Sequence, residues 1–375
     1  VADFWEKDLV CRDGVYHVVG DGMHERTDGN IRDNGVPENP VNTLGYLKTF
    51  FTWMPRISEA LDLDEKKREK WLEIAENLAP YPKGTIREIQ ENPTLWKEVD
   101  VKLEDLLPEE MLDKEIYYDE GIGGKWSFHF PGNVMQIYPG NAIGLGSAPE
   151  ELEVARNTVQ IHALVENALG ELEYRKALEE AEFADKDNAN NLLFNSNGEL
   201  ENGEAYSNGM ESGGVKNPHF YKAGAFNASN LSCLFFTAAV RVGYAPEIIW
   251  KEMRDMILNR GIPNGFLKEN PHGIEQLNTI PDAIQEMMLQ SCEGVIRIFP
   301  VWPSAEHPNA SFRNFRAWGG FEVSAVLKDG EVERVSILSH KGHPCRVENP
   351  WPGKSVKVSY EYGRPDEVHF GEYLN

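Results

Sequence analysis

Two acidic positions in loop-like sequence carry the clearest chemical signal. Glu275 stands in the stretch Asn270–Gln290, where a loop holding His272 and Gly273 runs into a helix. A carboxylate in the loop before a buried helix can point into a cleft, where burial or a charged neighbour retunes its pKa for proton transfer. A lone loop carboxylate is more commonly solvated. His272 is placed to hydrogen-bond a ligand hydroxyl or to set the ionisation of Glu275, although a loop histidine bonded to backbone is the commoner arrangement. The second position is Asp119–Glu120, which stands directly before a glycine-containing run ending at Trp126, with His129 close behind. The competing role for this pair is two solvated acids at a loop entrance.

A third candidate region is the polar stretch from Gly20 to Pro40, rich in Gly, Asp and Asn. Long loops between helices are commonly functional or disordered. Glu38 and Asn39, set between Pro37 and Pro40, are candidates for substrate contact, and a turn role for this run is equally well founded. Neither a metal nor a cofactor is expected. The four cysteines are scattered, no histidine pair has ligand spacing, and no glycine-rich phosphate loop follows a strand.

Helices must position these residues. Asn278 or Thr279 can cap the helix after Glu275, Pro281 suits its first turn, and Ile284, Met287, Met288 and Ser291 mark its inner face. Residues 3–10 read as an amphipathic helix, followed by a short strand-like run at Val15–Val19. Thr43–Leu61, with Pro55 expected to kink it, and Asp64–Leu78 read as a helical hairpin. Further helices are expected at Pro149–Leu172, at Ser229–Val242 and from Pro246 onward. After Ile296 the period changes. Ala317–Leu327, Val332–Leu338 and Ser355–Tyr362 alternate, Asp329–Gly330 signals a hairpin, and Pro350–Gly353 signals another turn. The fold class expected is mainly α with a small all-β domain.

Bulk properties narrow the partners. A formal charge of −24 over 375 residues argues against nucleic acid and against an anionic membrane surface. No apolar run reaches the roughly 18 residues of a membrane span. Nine tryptophans suit a carbohydrate site, where rings pack on the apolar faces of sugars, but most are expected in the core.

Three further runs sharpen this picture: Glu286–Ser291, Val295–Pro303 and Phe312–Val323. In order, spacing and chemistry they resemble the late catalytic domain of glycoside hydrolase family 95, the inverting α-L-fucosidases and their relatives. The segment Gln136–Asn141 resembles that family's Tyr-Pro-Gly ending, without the His-Arg-His run that usually precedes it. The resemblance implies a partial (α/α)6 barrel over residues 1–300, followed by a β-sandwich-like domain over 301–375. It also implies a carbohydrate partner, with α-L-fucosides or α-L-galactosides as substrates, and an extracytoplasmic setting. Glu275 falls where the family carries its catalytic Asp, and so would be the base that activates water. The family's Asp-Gly-Asn run is replaced here by Glu275, Gln276 and Leu277. Glu120, with Asp119 as second choice, would be the general acid, and His272, Glu38, Asn39, Trp126 and His129 would contact substrate. The family's early barrel helices and N-terminal β domain have no counterpart, so the chain is expected to be a piece of a longer enzyme, partnered by a missing N-terminal portion of the same protein, or to complete its barrel with another chain. Arg297, Trp302, Arg313 and Arg316 match the family but are read as structural. Two alternatives stay open: another (α/α)-barrel enzyme, such as a polysaccharide lyase using Tyr117, Tyr118 or His129 as base, and a non-catalytic carbohydrate-binding protein.

Overall fold

The computed structural model describes residues 1–21, 38–91, 103–118, 131–164, 232–260, 263, 278–361 and 365–375. The chain forms two compact units. The first comprises Val1–Val242 and Lys251–Thr279, and the second Gly243–Trp250 and Ile280–Asn375. Helices and small antiparallel sheets make up the described residues, which contain no closed barrel of helices. No described helix is long and apolar enough to cross a membrane.

In the first unit, helix α1 (Ala2–Asp8) leads into a hairpin of β1 (Val10–Arg12) and β2 (Val15–His17). Helix α2 (Val41–Leu61) and helix α3 (Arg68–Glu76) then form the expected hairpin. Pro55 lies inside α2, where its missing N–H leaves one helical carbonyl without its usual donor. The connection needs left-handed backbone and uses aspartate for it: Asp62 and Asp64 have φ of 53° and 52°. Short polar side chains tolerate that region better than most residues other than glycine. The Leu63 amide returns to the Ser58 carbonyl at 3.0 Å, and the Arg68 guanidinium donates to the Ser58 hydroxyl at 2.8 Å. Leu44, Leu47, Phe51, Trp71 and Ile74 pack together with Ala2, Leu9, Tyr16 and Val18. Trp71 reaches α1 by donating its indole N–H to Glu6 at 2.7 Å. Strands β3 (Lys83–Thr85) and β4 (Glu115–Tyr117) pair antiparallel, and β3 runs directly into α4 (Ile86–Glu91). Glu88 accepts from the Thr85 amide at 2.7 Å while the Thr85 hydroxyl accepts from the Glu88 amide at 3.3 Å, a reciprocal cap. That backbone hydrogen bond holds the Glu88 carboxyl below its usual pKa. Residues 149–164 form helix α5, which buries Val154, Ala155, Thr158 and Ile161, four residues of the expected apolar side. Helix α6 (Ser232–Arg241) is closed in around Phe235, Phe236, Ala238 and Ala239.

Helix α7 (Pro246–Arg260) opens on proline, as the sequence predicts. Helix α8 (Thr279–Met288) carries Pro281 and Asp282 in its first turn. Ala283 and Met287 are fully buried there, with Ile284 and Met288 half-buried beside them.

In the second unit β5 (Leu289–Gln290) pairs antiparallel with β6 (Arg297–Ile298), and a three-stranded antiparallel sheet follows in the order β7 (Ala310–Ala317), β8 (Phe321–Lys328), β9 (Glu331–Ser339). Strand β8 alternates strictly, with Phe321, Val323, Ala325 and Leu327 turned to the core. Asp329 and Gly330, at φ of 52° and 83°, form the hairpin to β9, as their dipeptide signals. The alternation expected from Ala317 straight through to Leu327 is interrupted. Ala317 ends β7, and Trp318, Gly319 and Gly320 turn the chain before β8 begins, with Gly319 and Gly320 at positive φ. Asn314, at φ 58°, sits where the β7–β8 register slips between Phe312 and Phe315. Short antiparallel pairs surround this sheet: β5 with β6, Val347–Glu348 with Tyr373–Leu374, and Val356–Val358 with Glu367–His369. Trp302 is half-buried, donates its indole N–H to the His307 carbonyl at 2.9 Å, and meets Trp250 and Phe299 edge-on.

Arg297 is the charged centre of this unit. Its side chain is only 3% exposed, and it donates to Glu293 and, at 2.8 Å, to Glu348. Burial works against its charge, but the two carboxylates outweigh that and hold its pKa above the usual arginine value. Both carboxylates keep some solvent, which softens the loss if the arginine goes. Replacing Arg297 with Ala is expected to cost about 2–4 kcal/mol in urea unfolding, because a buried ion pair is broken from one side. Arg313 and Arg316 are exposed on β7, and their replacement is expected to move stability by less than about 0.5 kcal/mol.

Candidate functional site

Six of the eight residues singled out for chemistry lie outside the described residues: Glu275, His272, Asp119, Glu120, Trp126 and His129. Glu38 and Asn39 are described, and each has defined partners. Glu38 pairs across a β-bridge with Val19. Its Oε1 takes the Arg12 guanidinium at 2.7 Å and lies 3.1 Å from His17 Nδ1. Asn39 has φ of 55°. Its backbone N–H donates to the Val18 carbonyl at 2.8 Å, and its Oδ1 accepts from the Val18 amide at 3.0 Å. With Oδ1 so engaged, Nδ2 faces His17 Nδ1 at 3.1 Å, so that ring nitrogen lies between the Asn39 side-chain amide and the Glu38 carboxylate. Both residues therefore lock the chain entering α2 against the β1–β2 hairpin, which is the turn role the sequence left open beside substrate contact.

A second group of polar side chains lies in the interior of the same unit, and it is organised around Gln136–Asn141. Gly45 sits one turn into α2 at the point where that helix crosses this segment. A Cβ at Gly45 would fall 2.5 Å from the Gln136 Cα. Gly140 is similarly confined, its own Cβ position lying 2.6 Å from the Met135 carbonyl oxygen. The Thr49 hydroxyl donates to the Gly140 carbonyl, tying α2 to the turn after a cis Tyr138–Pro139 bond. Asn141, at φ 57°, accepts through Oδ1 from the guanidinium of Arg241. Arg241 is buried and lies over the Tyr138 ring at 4.8 Å.

From Gln136 the polar contacts continue to β4. The Gln136 amide donates to the Asn133 carbonyl at 2.9 Å, and the Asn133 amide donates to the Tyr117 carbonyl at 3.2 Å. The Tyr117 amide donates to the Thr158 hydroxyl at 2.9 Å, and that hydroxyl donates to the Val154 carbonyl of α5. Asn157 donates to the Glu115 carbonyl at 3.2 Å, and Arg156 to the Val242 carbonyl at 2.6 Å. Tyr81 meets Tyr117 edge-on at 5.7 Å. Burial raises the pKa of both phenols well above the usual tyrosine value, and the charge of Glu151 adds to it. His162 is buried beside Phe235. The pair Tyr117–Tyr118 and the turn Pro131–Val134 stand on either side, in sequence, of the run holding Asp119, Glu120, Trp126 and His129.

Sequence reasoning did not single out Asn42, Asn133 or Arg241, and it used Gln136 only as part of a motif. One signal for them was present. A glycine inside an otherwise apolar helical pattern, as Gly45 is, commonly marks a close backbone approach. Among the described residues no group of three or more His, Cys, Asp or Glu side chains is placed to hold a metal ion.

Compared with known proteins, no family model matches the chain and no curated sequence matches it.

Two substitutions probe this geometry. Gly45→Ala gains up to about 1 kcal/mol of helix propensity, yet the clash with Gln136 backbone is expected to give a net loss of about 1–3 kcal/mol in thermal unfolding. Asn39→Ala is expected to lose about 1–3 kcal/mol, since it forfeits the Val18 hydrogen bond and places alanine at positive φ. Asn39→Gly, which relieves only the backbone part, should recover some of that loss.

Proposed function

We propose that the chain is a glycoside hydrolase acting with inversion on α-L-fucosides or the closely similar α-L-galactosides. On this reading the helical unit is part of an (α/α)6 barrel, and the sheets of the second unit belong to a β-sandwich-like domain. The motif series from Glu286 to Val323 suggests the family, and one structural observation supports it above the others. The helical unit buries Asn42, Thr43, Asn133, Gln136, Asn157, Thr158, His162, Thr237 and Arg241. Asn157, Thr158 and Arg241 find partners within the unit, whereas Asn42, Asn133 and Gln136 keep acceptor oxygens with no partner among the described residues, and such buried groups cost free energy unless hydrogen-bonded. A site for a polyhydroxylated ligand needs them.

The chemistry asked of the residues is defined. A protonated carboxyl gives its proton to the leaving oxygen, and on the opposite face a carboxylate takes one from water, the two groups standing roughly 6.5–9.5 Å apart. Glu275 takes the role of base and Glu120 that of acid, with Asp119 in reserve. A glutamate base reaches one methylene further than aspartate, so the water is held further from the backbone. His272, Trp126 and His129 supply substrate contacts. For Glu38 and Asn39 the contacts with Arg12, His17 and Val18 favour positioning of the loop over contact with sugar.

For the lyase alternative, one observation disfavours Tyr117 as the base. A tyrosine base must lose its proton readily, whereas Tyr117 is buried and its pKa is raised. The negative charge of the chain also disfavours a polyanionic substrate.

Hydrolysis of aryl and oligosaccharide α-L-fucosides and α-L-galactosides tests the proposal. Glu275→Gln should lower kcat by about 10²–10⁴-fold on every substrate. Glu120→Gln should do so on oligosaccharides but much less on aryl glycosides, whose leaving group needs little protonation. The product should appear first as the inverted anomer by NMR. No turnover on any of these sugars, either by the unmodified chain or by a form in which the remaining part of the barrel is supplied, would remove the proposal.

A further inference from the structure

We infer that the interior of the helical unit holds a binding site for hydroxyl donors, built on Asn42, Asn133, Gln136 and Tyr81. Four side-chain oxygens carry this inference: Asn42 Oδ1, Asn133 Oδ1, Gln136 Oε1 and the Tyr81 phenol. Each has less than 1 Å² of exposed surface and no hydrogen-bond partner among the described residues. Asn42, Asn133 and Gln136 are 8%, 1% and 0% exposed as residues. Buried polar atoms are paired in the great majority of cases, so four orphans in one unit call for a donor.

They are linked through named contacts. Tyr81 packs on Tyr117, the Tyr117 carbonyl takes the Asn133 amide, and the Asn133 carbonyl takes the Gln136 amide. Gln136 lies against Gly45 of α2. Asn42 is three residues before Gly45 in that helix and so shares its face. Asn133 and Gln136 are likewise three apart, in a segment that begins as a 3-10 turn, where residues at that spacing line up.

The chemistry of the missing partner follows from the atoms. The amide nitrogens of Asn133 and Gln136 already donate to backbone carbonyls, so turning either side chain over would break a bond to make one. What remains is acceptor oxygen, plus one phenol able to donate or accept. An anion is excluded because acceptors repel it. A divalent cation is disfavoured because the set contains no carboxylate, the ligand that hard cations usually recruit. Neutral O–H groups fit. They can come from ordered water or from the hydroxyls of an uncharged sugar. The inference stands on the four oxygens and not on the glycosidase reading; a sugar as source would extend that reading to substrate recognition.

Calorimetric titration with L-fucose, L-galactose and D-galactose, with galacturonate as the charged control, separates the sources. It should be run on the unaltered chain and on the Gln136→Met, Asn42→Leu and Glu275→Gln forms. An atomic-resolution crystal structure of the unaltered chain completes the test. If sugar hydroxyls are the donors, a neutral sugar binds, galacturonate does not, and Gln136→Met and Asn42→Leu each weaken binding by about tenfold. Glu275→Gln retains binding in that case, whether or not the chain turns substrate over. If water is the donor, no sugar depends on these residues and the crystal structure shows ordered waters within hydrogen-bond distance of the four oxygens. A crystal structure that places protein donors on them, with sugar binding unchanged in both variants, overturns the inference.

Discussion

The contact between Gly45 and Gln136 governs the interior of the helical unit. Two stretches of backbone approach there closer than any side chain would permit, since a single Cβ would fall 2.5 Å from a main-chain carbon. The approach brings the buried first turn of α2 onto Gln136–Asn141, and the Thr49 hydroxyl then reaches the Gly140 carbonyl. It also removes water from the polar side chains on both sides. Asn42, Asn133 and Gln136 are buried because their elements meet at a glycine, not because they are apolar.

That burial has an energetic consequence. An unpaired buried acceptor is costly, of order 1–3 kcal/mol, so a fold that keeps several must satisfy them from outside the protein or draw on stability elsewhere. The apolar cluster around Phe51, Trp71 and Ile74, on the other side of α2, is where such stability resides. Thus α2 packs hydrocarbon against α3 and sets Gly45 and Thr49 against Gln136–Asn141. A helix amphipathic in this sense differs from one that simply divides core from solvent. It is how a helical unit builds a polar interior.

The second unit follows a simpler rule. Strand β8 offers one strictly alternating face, β7 and β9 flank it, and Arg297 holds two carboxylates beside the short pairs that surround the sheet. The charge is tolerable because it is shared among three groups, and its pKa direction reflects attraction exceeding desolvation.

Local chemistry was legible from the sequence because it depends on neighbours in the chain. The α2–α3 hairpin, the proline starts of α7 and α8, and the Asp329–Gly330 turn all follow from periodicity, from proline's fixed φ and from positive-φ preferences. Interrupted alternation was less legible: Ala317–Leu327 reads as one strand until Gly319 and Gly320 are seen to turn it. Glu38 and Asn39 stood out as polar residues in a loop, but only the fold shows their side chains occupied by Arg12, His17 and the Val18 backbone. Glu275, Glu120 and the residues grouped with them remain readings of sequence. The polar interior was invisible beforehand, since Asn42 lies 91 positions from Asn133 and 94 from Gln136. No local propensity records such a meeting. The sequence by itself determined which segments are helix, strand and turn, because those choices are made within a few residues. Only the tertiary structure decided which polar groups lose their water, because desolvation depends on what packs over a side chain and not on what precedes it.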